Sequence, residues 1–370
     1  MSNDEIVLDS SIDQLISGTA TGSIKRSIFN NLYGINAKGT GNAVPREKLS
    51  PGFTFFTRPQ LNLTTFNISN YRGFYNLLTE VETSYQRFTR NTLDPRLAYN
   101  GLRCPLVDKT NAFIPFLSNN LTSMSGFPDL TAPTYSSESG LYGEEMSFVD
   151  GVTNHYESYD IDATFKNLKG SPLLYFFYTW VKYQTLVFEG ILNPYLDMVT
   201  ENEIDYNTRI YRITLDQQRR YITYMGCTGA SFPISVPTGS VFDYSTDKPF
   251  NGSTADFNIR FRCMGFTPFE DLVKYKFNQT QAIFNPDIRK LLEYDMSGPY
   301  DSTRLREEPD RAYEIPGCNY IKVPHYLISK LDSTLTDNQH YNLNHRSIPY
   351  CNLATGELEW FCDKSLFKPR

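Results

Sequence analysis

The sequence has 370 residues, of which 21% are charged and 15% are aromatic, including 26 Tyr and 26 Phe. This length allows two or three domains, or one sandwich with large insertions, and the composition excludes a disordered chain. The net charge is −6 and no run of Lys or Arg exceeds two residues, which excludes the clustered basic patch of a nucleic-acid-binding protein.

The sequence shows no targeting or membrane signal. The first residues, Met1–Glu5, are acidic, and no apolar run of signal-peptide length follows them. The longest apolar run, Leu173–Val181, is about half of the roughly 20 residues that span a membrane. Six scattered cysteines without a Cys-x-x-Cys pair favour reduced thiols over a disulfide framework. We therefore expect no membrane partner.

The N-terminal residues 1–50 predict an extended arm. They are rich in Gly, Ser, Thr and Asn and have little apolar periodicity. Four apolar residues in the arm are spaced for one short helix: Ile24, Ile28, Phe29 and Leu32. Residues 51–63 then predict a β-strand, and Pro59 within them suits an edge strand or a strand boundary.

Residues 70–149 are interpreted as an insertion that begins with a helix over 72–90. Apolar residues recur every three or four positions along that helix: Phe74, Leu77, Leu78, Val81, Tyr85 and Phe88. Residues 91–150 are rich in Pro, Gly, Ser and Asn. Compact domains seldom contain so long an irregular connection, so we expect this segment to order against a neighbour.

The arm and the insertion also contain isolated apolar residues, which are Phe29, Tyr33, Phe113, Phe116, Phe127 and Tyr142. Neither segment has enough periodic apolar residues to bury its own surface. Isolated anchors on a flexible chain suit docking into a neighbour's groove, where contacts offset the cost of ordering. We therefore predict that both segments are ordered in an assembly and mobile in the free subunit.

Four β-strands are predicted between residues 150 and 280, at 159–165, 208–215, 220–227 and 254–263. In the first of them, Asp160 and Asp162 share one face. With no EF-hand pattern around them, these carboxylates fit a solvated face better than a cation site. In the last strand, Arg260 and Arg262 alternate with apolar residues and therefore point away from the core.

A helix over 172–189 is the most apolar element of the sequence. Ser171 is its predicted cap, Pro172 occupies its first turn, and Gly190 closes it. A helix that is apolar on nearly every side must be covered on most sides. We therefore expect Phe176, Trp180 and Phe188 to be largely buried, some of them only after assembly.

No catalytic or metal-binding spacing is present in the sequence. The glycine-rich residues 18–23 lack the Lys-Ser/Thr of a phosphate loop, and 226–231 lack the Gly-x-Ser-x-Gly order of a nucleophile elbow. Four histidines and six cysteines show no zinc-site spacing. The sequence therefore predicts no enzyme, no catalytic residue, no cofactor and no metal, although a Cys–His pair that meets only in the folded chain remains open.

Four passages between residues 150 and 278 resemble a known family. They are the aromatic helix through Trp180 and Phe188 that ends at Gly190, Asn193-Pro194-Tyr195 followed by residues 207–210, the passage 227–233, and the strand 257–261 before Met264-Gly265-Phe266. Together they resemble the tail-tube proteins of contractile-tailed bacteriophages, including the tube-initiating proteins of the baseplate. Residues 53–63 look like an opening element of the same family.

The resemblance implies an α+β fold that is mainly β: an antiparallel β-sandwich or barrel, over residues 51–69 and 150–280, with long loops, the inserted helical segment and a C-terminal extension over 281–370. It implies hexameric rings that stack into a tube, through which DNA passes as transient, non-specific cargo. The implied partners are further copies of the chain and other tail proteins, such as sheath, baseplate or tape-measure proteins. The implied location is the virion tail, assembled in the host cytoplasm.

The net acidity agrees with this use, because neutral or acidic walls do not hold a DNA backbone. Arg260 and Arg262 are then candidates for ring-to-ring contacts. Simple tube subunits are much shorter than this chain, so the extra segments fit a specialised tube end, a baseplate or neck component, or the tube of a large phage. The alternatives are a capsid or neck protein, a soluble enzyme, or a host binding module.

Overall fold

The computed structural model describes residues 51–151, 157–216, 219–242, 256–297, 319–323, 347–353 and 355–364. The strands are β1 (Gly52–Phe56), β2 (Leu121–Ser125), β3 (Thr134–Ser136), β4 (Ser147–Val149), β5 (Ser158–Lys166), β6 (Ile210–Leu215), β7 (Ile222–Pro233), β8 (Asp256–Pro268), β9 (Tyr320–Val323), β10 (Ile348–Cys351) and β11 (Leu358–Asp363). The helices are α1 (Thr65–Ile68), α2 (Tyr85–Leu93), α3 (Pro95–Tyr99), α4 (Pro115–Ser118), α5 (Pro172–Phe188), α6 (Leu196–Thr200), α7 (Thr238–Phe242), α8 (Asp271–Phe284) and α9 (Pro286–Ser297), with a 3₁₀ helix at Arg72–Leu78.

The largest sheet is a curled antiparallel sheet with the strand order β1-β6-β7-β8-β5-β2. Two smaller sheets have the orders β10-β11-β9 and β3-β4. Together with the helices they form an α+β fold, which confirms the predicted fold class. The four strands predicted between residues 150 and 280 correspond to β5, β6, β7 and β8, of which β7 and β8 are longer than predicted.

The paired strands β5 and β8 place one of their faces in the core. Side chains alternate between the two faces of a strand, and the apolar residues of both strands fall on the same side. The buried residues on this face are Ile161, Ala163, Phe165, Phe257, Ile259, Phe261 and Cys263. The alternation in the sequence is thereby confirmed, and the polar residues between these positions are left on the opposite face.

Helix α5 covers this apolar face. Its residue Phe177 packs against Phe165 of β5 with a ring-centroid separation of 5.2 Å. The helix begins at Pro172, as predicted, but the prediction that Ser171 caps it is wrong. Ser171 has a left-handed backbone (φ 48°, ψ 47°) and makes no capping hydrogen bond, whereas a capping side chain requires an extended backbone at that position. Gly190 follows the helix with φ 72°.

The single helix predicted over 72–90 is wrong: the structure has the 3₁₀ helix and then α2. Thr79 has an extended backbone (φ −62°, ψ 142°), and the β-branched residues around it disfavour a helix. The hydroxyl of Ser84 accepts a hydrogen bond from Arg87 N at 3.2 Å and so starts α2 separately. Phe74 is buried as predicted, whereas Val81, between the two helices, is exposed.

Much of the inserted segment folds into the core of its own chain. Helices α2, α3 and α4 contribute Leu93, Leu97 and Leu117 to the same apolar cluster as α5, and Ile114, just before α4, joins them. The prediction that residues 91–150 cannot bury enough surface by themselves is therefore wrong for this part. The helices are so short that their apolar residues produce no visible periodicity, although a proline opens both α3 and α4.

The chain divides into two compact units. One unit takes residues 55–211 and 226–268, and the other takes the remaining described residues. The second unit contains α8, α9 and the small sheet of β9, β10 and β11. Its core consists of Ile288, Leu291, Tyr320, Ile348, Tyr350 and Phe361. The sequence also predicts a short helix over Asp287–Tyr294, which matches α9, whereas α8 and the small sheet were not predicted from the sequence.

Candidate channel and assembly surfaces

The exposed face of β5 and β8 carries two ion pairs across the strands. Asp162 lies opposite Arg260, and Asp160 lies opposite Arg262. The guanidinium Nε of Arg260 donates to Asp162 Oδ1 at 3.1 Å, and Nη1 of Arg262 donates to Asp160 Oδ1 at 2.9 Å. Opposed residues of an antiparallel pair face the same side at short range, so the register alone brings these charges together.

The charges on this face cancel along the strands. The basic Lys166 lies opposite the acidic Asp256, and the uncharged Ser158 lies opposite the uncharged Met264. Arg262 also donates from Nη2 to the Ser158 hydroxyl at 2.8 Å. Exposed ion pairs each contribute only about 0–1 kcal/mol to stability. Their main effect is therefore electrostatic: they leave this face of the sheet polar but without an uncompensated arginine.

The residues predicted as assembly or core positions on α5 separate into two groups. Phe176 and Trp180 are fully buried. The indole N–H of Trp180 donates to the backbone oxygen of Tyr206 at 3.0 Å, which satisfies its one polar group inside the core. Phe188, by contrast, is 93% exposed at the end of the helix. Of the three, Phe188 alone remains available for contact with another molecule.

Phe188 belongs to a larger exposed surface formed by residues 188–204. Its exposed apolar side chains are Phe188, Ile191, Leu196, Val199 and Ile204, and its exposed acidic side chains are Glu189, Asp197, Glu201 and Glu203. We call this the acidic apolar surface. Several large apolar side chains exposed within one short segment are typical of a binding surface. Asp197 pairs with Arg96 at 2.7 Å, while Glu189, Glu201 and Glu203 have no ion pair within the described residues.

Buried groups fix the chain beneath this surface. Leu192 and Met198 are buried, and Asn193 exchanges two hydrogen bonds with the side chain of Asn67, at 2.9 and 3.0 Å. The phenol of Tyr195 donates to Asp94 Oδ2 at 2.8 Å. The acidic apolar surface is therefore a folded, anchored surface and not a loose loop.

Two buried carboxylates act as these anchors. Asp94 accepts hydrogen bonds from Tyr195 and from the backbone N–H of Leu63, and burial raises the pKa of its carboxyl to about 6. Asp205 accepts from the Tyr183 hydroxyl at 2.5 Å, and burial likewise raises the pKa of Asp205. Such raised pKa values mark active sites in enzymes, but here each carboxylate connects one loop to the aromatic core.

The predicted docking anchors are placed differently from one another. Phe113 is buried, 5.1 Å from the ring of Phe55, so the prediction that it docks into a neighbour is wrong. Phe116 and Phe127 are half-buried against their own chain, with Phe116 packing on Phe88 at 5.2 Å. The remaining exposed anchor within the described residues is Tyr142, which is 91% exposed. Phe29 and Tyr33 lie outside the described residues.

Tyr142 lies in the connection of the β3–β4 hairpin. Tyr135 of β3 lies opposite Phe148 of β4, and every residue of the two strands is exposed. Leu141, beside Tyr142, is exposed as well. A two-stranded ribbon with apolar side chains exposed on it is only marginally stable in water, so contact with another surface is expected to stabilise it.

Other kinds of site are not found in the part of the chain that the structure describes. No three His, Cys, Asp or Glu side chains in this part group as a metal site. No helix in it is long and apolar enough to cross a membrane. The described cysteines are Cys104, Cys227, Cys263, Cys351 and Cys362, and no disulfide joins any two of them.

Two features of these surfaces were missed in the sequence, although a signal for each was present. The cross-strand pairs of Asp160 and Asp162 with the arginines follow from two strands that carry opposite charges at the same period of two. The acidic apolar surface has a compositional signal, since no Lys or Arg occurs between Tyr183 and Thr208. The buried Asp94–Tyr195 contact joins residues 101 positions apart and has no local signal.

The structure therefore has a curled sheet, a charge-balanced exposed face on β5 and β8, and exposed apolar side chains. The chain belongs to the family described as "Putative phage tail tube protein", whose model matches residues 2–342. It is therefore a structural protein of the phage tail and not an enzyme, which confirms the resemblance seen in the sequence.

Solved structures of contractile injection systems are similar to part of the chain. The tube-terminating cap of the anti-feeding prophage is 16% identical with a TM-score of 0.26, over 42% of this chain and 81% of that one. The PVC sheath/tube terminator in the extended state is 12% identical with a TM-score of 0.24, over 43% and 87%. The PVC sheath–tube complex is 14% identical with a TM-score of 0.24, over 42% and 82%. No curated protein matches the chain.

Proposed function

We propose that this chain is a subunit of the tail tube, or of a tube-like ring at the baseplate or neck, and that copies of it assemble into stacked hexameric rings around a DNA-conducting channel. In this proposal residues 51–69 and 150–280 form the tube core, with residues 1–50 as an arm, 70–149 as an insertion and 281–370 as an extension. The observation that carries the proposal is the charge-balanced face of β5 and β8 in a chain of the tail-tube family.

The electrostatics of that face support the channel role. DNA carries one negative charge per about 1.7 Å of helix axis, and each uncompensated cation on a wall that it passes holds phosphates. Arg260 and Arg262 each have a carboxylate partner on the neighbouring strand. A wall of this kind lets DNA slide as non-specific cargo, because it provides hydrogen-bonding polarity without net attraction.

The assembly role is supported by the apolar surface that one chain leaves uncovered. The β3–β4 hairpin and the acidic apolar surface both expose large aromatic or aliphatic side chains. The sheet also ends in β2, and a sheet edge offers backbone groups to a further strand. Contacts between copies would cover these features at once.

The mass and shape of the purified full-length protein test this proposal. We expect rings or tubes in electron micrographs, and a mass by light scattering that is a multiple of six subunits. Replacing Leu141 and Tyr142 together with Ser should reduce assembly, whereas Val81→Ser, an exposed residue elsewhere, should not. A protein that stays monomeric at every protein concentration measured would overturn the proposal.

Position in the particle is a separate test. We propose the virion tail as the location, after assembly in the host cytoplasm, with sheath, baseplate or tape-measure proteins as neighbours. Gold-labelled antibody on whole particles should mark the tail, and chemical cross-linking of particles should join this chain to other tail proteins. Label at the capsid would instead favour the alternative of a capsid protein.

A further inference from the structure

The acidic apolar surface, residues 188–204, has a definite chemical character. Phe188 and Leu196 are 93% and 79% exposed, and three acidic residues beside them lack an ion pair within the described residues. The nearest basic residues in the sequence are Lys182 and Arg209, on either side of the segment. A partner that fits this surface must supply apolar side chains and positive charge together, because like charges at an interface are strongly unfavourable.

The chain itself contains a segment with that chemistry. Between residues 24 and 48 the basic residues are Lys25, Arg26, Lys38, Arg46 and Lys48, and the single acidic residue is Glu47. Ile24, Ile28, Phe29 and Leu32 are spaced for one face of a helix, directly beside Lys25 and Arg26. Residues 24–33 therefore combine an apolar face with positive charge.

We propose that residues 24–33 of one copy dock on the acidic apolar surface of a second copy. The inference rests on the proposed function, since it names the contact by which copies bind. Residues 34–50 connect the segment to β1, and 17 residues can span at most about 60 Å. A folded chain of this length has a radius of gyration of about 21 Å, so the connection is long enough to reach a neighbouring subunit.

The β3–β4 hairpin is the other acidic surface that the basic segment could meet, and it fits less well. The carboxylate of Glu144 already accepts a hydrogen bond from Tyr142 N at 2.9 Å. The hairpin exposes all residues of both strands, so it presents no fixed apolar face. Residues 188–204 are instead held by buried side chains beneath them, and a fixed surface costs less entropy to bind.

Photo-cross-linking of the full-length protein tests the contact directly. A benzophenone amino acid replaces Phe29, and equal amounts of ¹⁴N- and ¹⁵N-labelled protein are mixed before assembly and irradiation. We expect cross-linked peptides from residues 188–204, with half of them joining a light chain to a heavy chain. Cross-links to the hairpin or elsewhere, or cross-links confined to one isotope, would overturn the proposal.

A charge exchange provides an independent test. Replacing Glu201 and Glu203 with Lys should reduce the cross-linking yield about fivefold, as the loss of two modest ion-pair contacts implies. Combining these changes with Lys25→Glu and Arg26→Glu should restore the yield. Glu80→Lys with Glu82→Lys, two exposed residues on either side of Val81, is the matched control and should leave it unchanged. Equal loss in the control, or no recovery in the combined variant, would count against the docking.

The two proposals can fail separately. Rings whose Phe29 cross-links map outside residues 188–204 would leave the tube function intact and overturn the docking. A protein that is monomeric by mass would overturn the tube function, and the docking between copies with it. Added salt should weaken the cross-link in wild-type protein, because the attraction between exposed charges is screened.

Discussion

Asp162 of β5 and Arg260 of β8 lie directly opposite each other, and the guanidinium Nε is 3.1 Å from the carboxylate. Asp160 and Arg262 form the same kind of pair two residues further along each strand. The aspartates add little stability at such exposed positions. Their main effect is to neutralise the two arginines. The four side chains together therefore add no net charge to the exposed face of β5 and β8.

Replacing both aspartates by Asn should therefore make the assembled protein bind duplex DNA. Two uncompensated arginines per subunit would each neutralise a phosphate, so the slope of log affinity against log salt should steepen by about two per subunit in contact. Fluorescence anisotropy with duplex DNA across a salt series measures this slope. The quadruple variant that also changes Arg260 and Arg262 to Gln is the control and should bind as weakly as wild type. Unchanged DNA affinity in the double variant would argue against a channel role for this face.

Trp180→Ala should destabilise the unit formed by residues 55–211 and 226–268. The side chain is fully buried between Phe176 and Phe177, and its N–H is bonded to Tyr206. Truncating a buried Trp costs about 3–5 kcal/mol of unfolding free energy. Urea unfolding monitored by circular dichroism gives the value. Tyr178→Ala, at an exposed position on the same helix, should cost far less, and equal losses would mean that burial does not set the effect.

Phe188→Ser should separate assembly from folding. Because Phe188 projects from the end of α5, its loss should change the unfolding free energy of the subunit by less than about 0.5 kcal/mol. The same change should reduce the assembled fraction in sedimentation velocity, since the docking proposed for residues 188–204 loses its largest apolar side chain. A variant that assembles like wild type would remove Phe188 from the interface, while one that unfolds would place it in the core.

The sequence predicted the elements whose patterns are local. Strand β5 alternates apolar and acidic residues, so its period of two identifies it in the sequence. Helix α5 is apolar all round, so its length and hydrophobicity identify it. Helix α8 is different, because Asn278 and Gln281 lie on its buried side. Asn278 exchanges two hydrogen bonds with the backbone of Cys351, and only the folded chain reveals that partner.

The missed small sheet and the misplaced anchors have the same physical origin. All four residues of β10 are buried, so the strand does not alternate and resembles an apolar loop in the sequence. Phe113 was taken for an isolated anchor because its partners, Phe55 and Tyr211, lie 58 and 98 positions away. Composition predicts that an aromatic side chain will be buried, but the topology of the fold determines which residues it packs against.

The stability of the protein should depend on pH through Asp94. Burial raises the pKa of this carboxyl from 3.8 to about 6, against the opposing effect of its hydrogen bonds from Tyr195 and Leu63. Since the folded state then holds the proton more tightly than the unfolded state, Asp94 contributes stability that is complete below about pH 4 and is lost as the pH rises through about 6. Two pKa units correspond to about 3 kcal/mol.

Asp94→Asn removes this titration and keeps an acceptor oxygen for Leu63 N and the Tyr195 hydroxyl. The unfolding free energy of wild type minus that of the variant should therefore fall by about 3 kcal/mol between pH 4 and pH 7. Asp197→Asn is the control with the opposite sign, because the hydrogen bond from Arg96 lowers the pKa of Asp197, and its stabilising contribution is lost on acidification. Urea unfolding at half-unit pH steps measures both differences. A flat difference for Asp94→Asn would mean that the pKa of this carboxyl is the same in the folded and unfolded states, and that the hydrogen bonds from Tyr195 and Leu63 balance its burial.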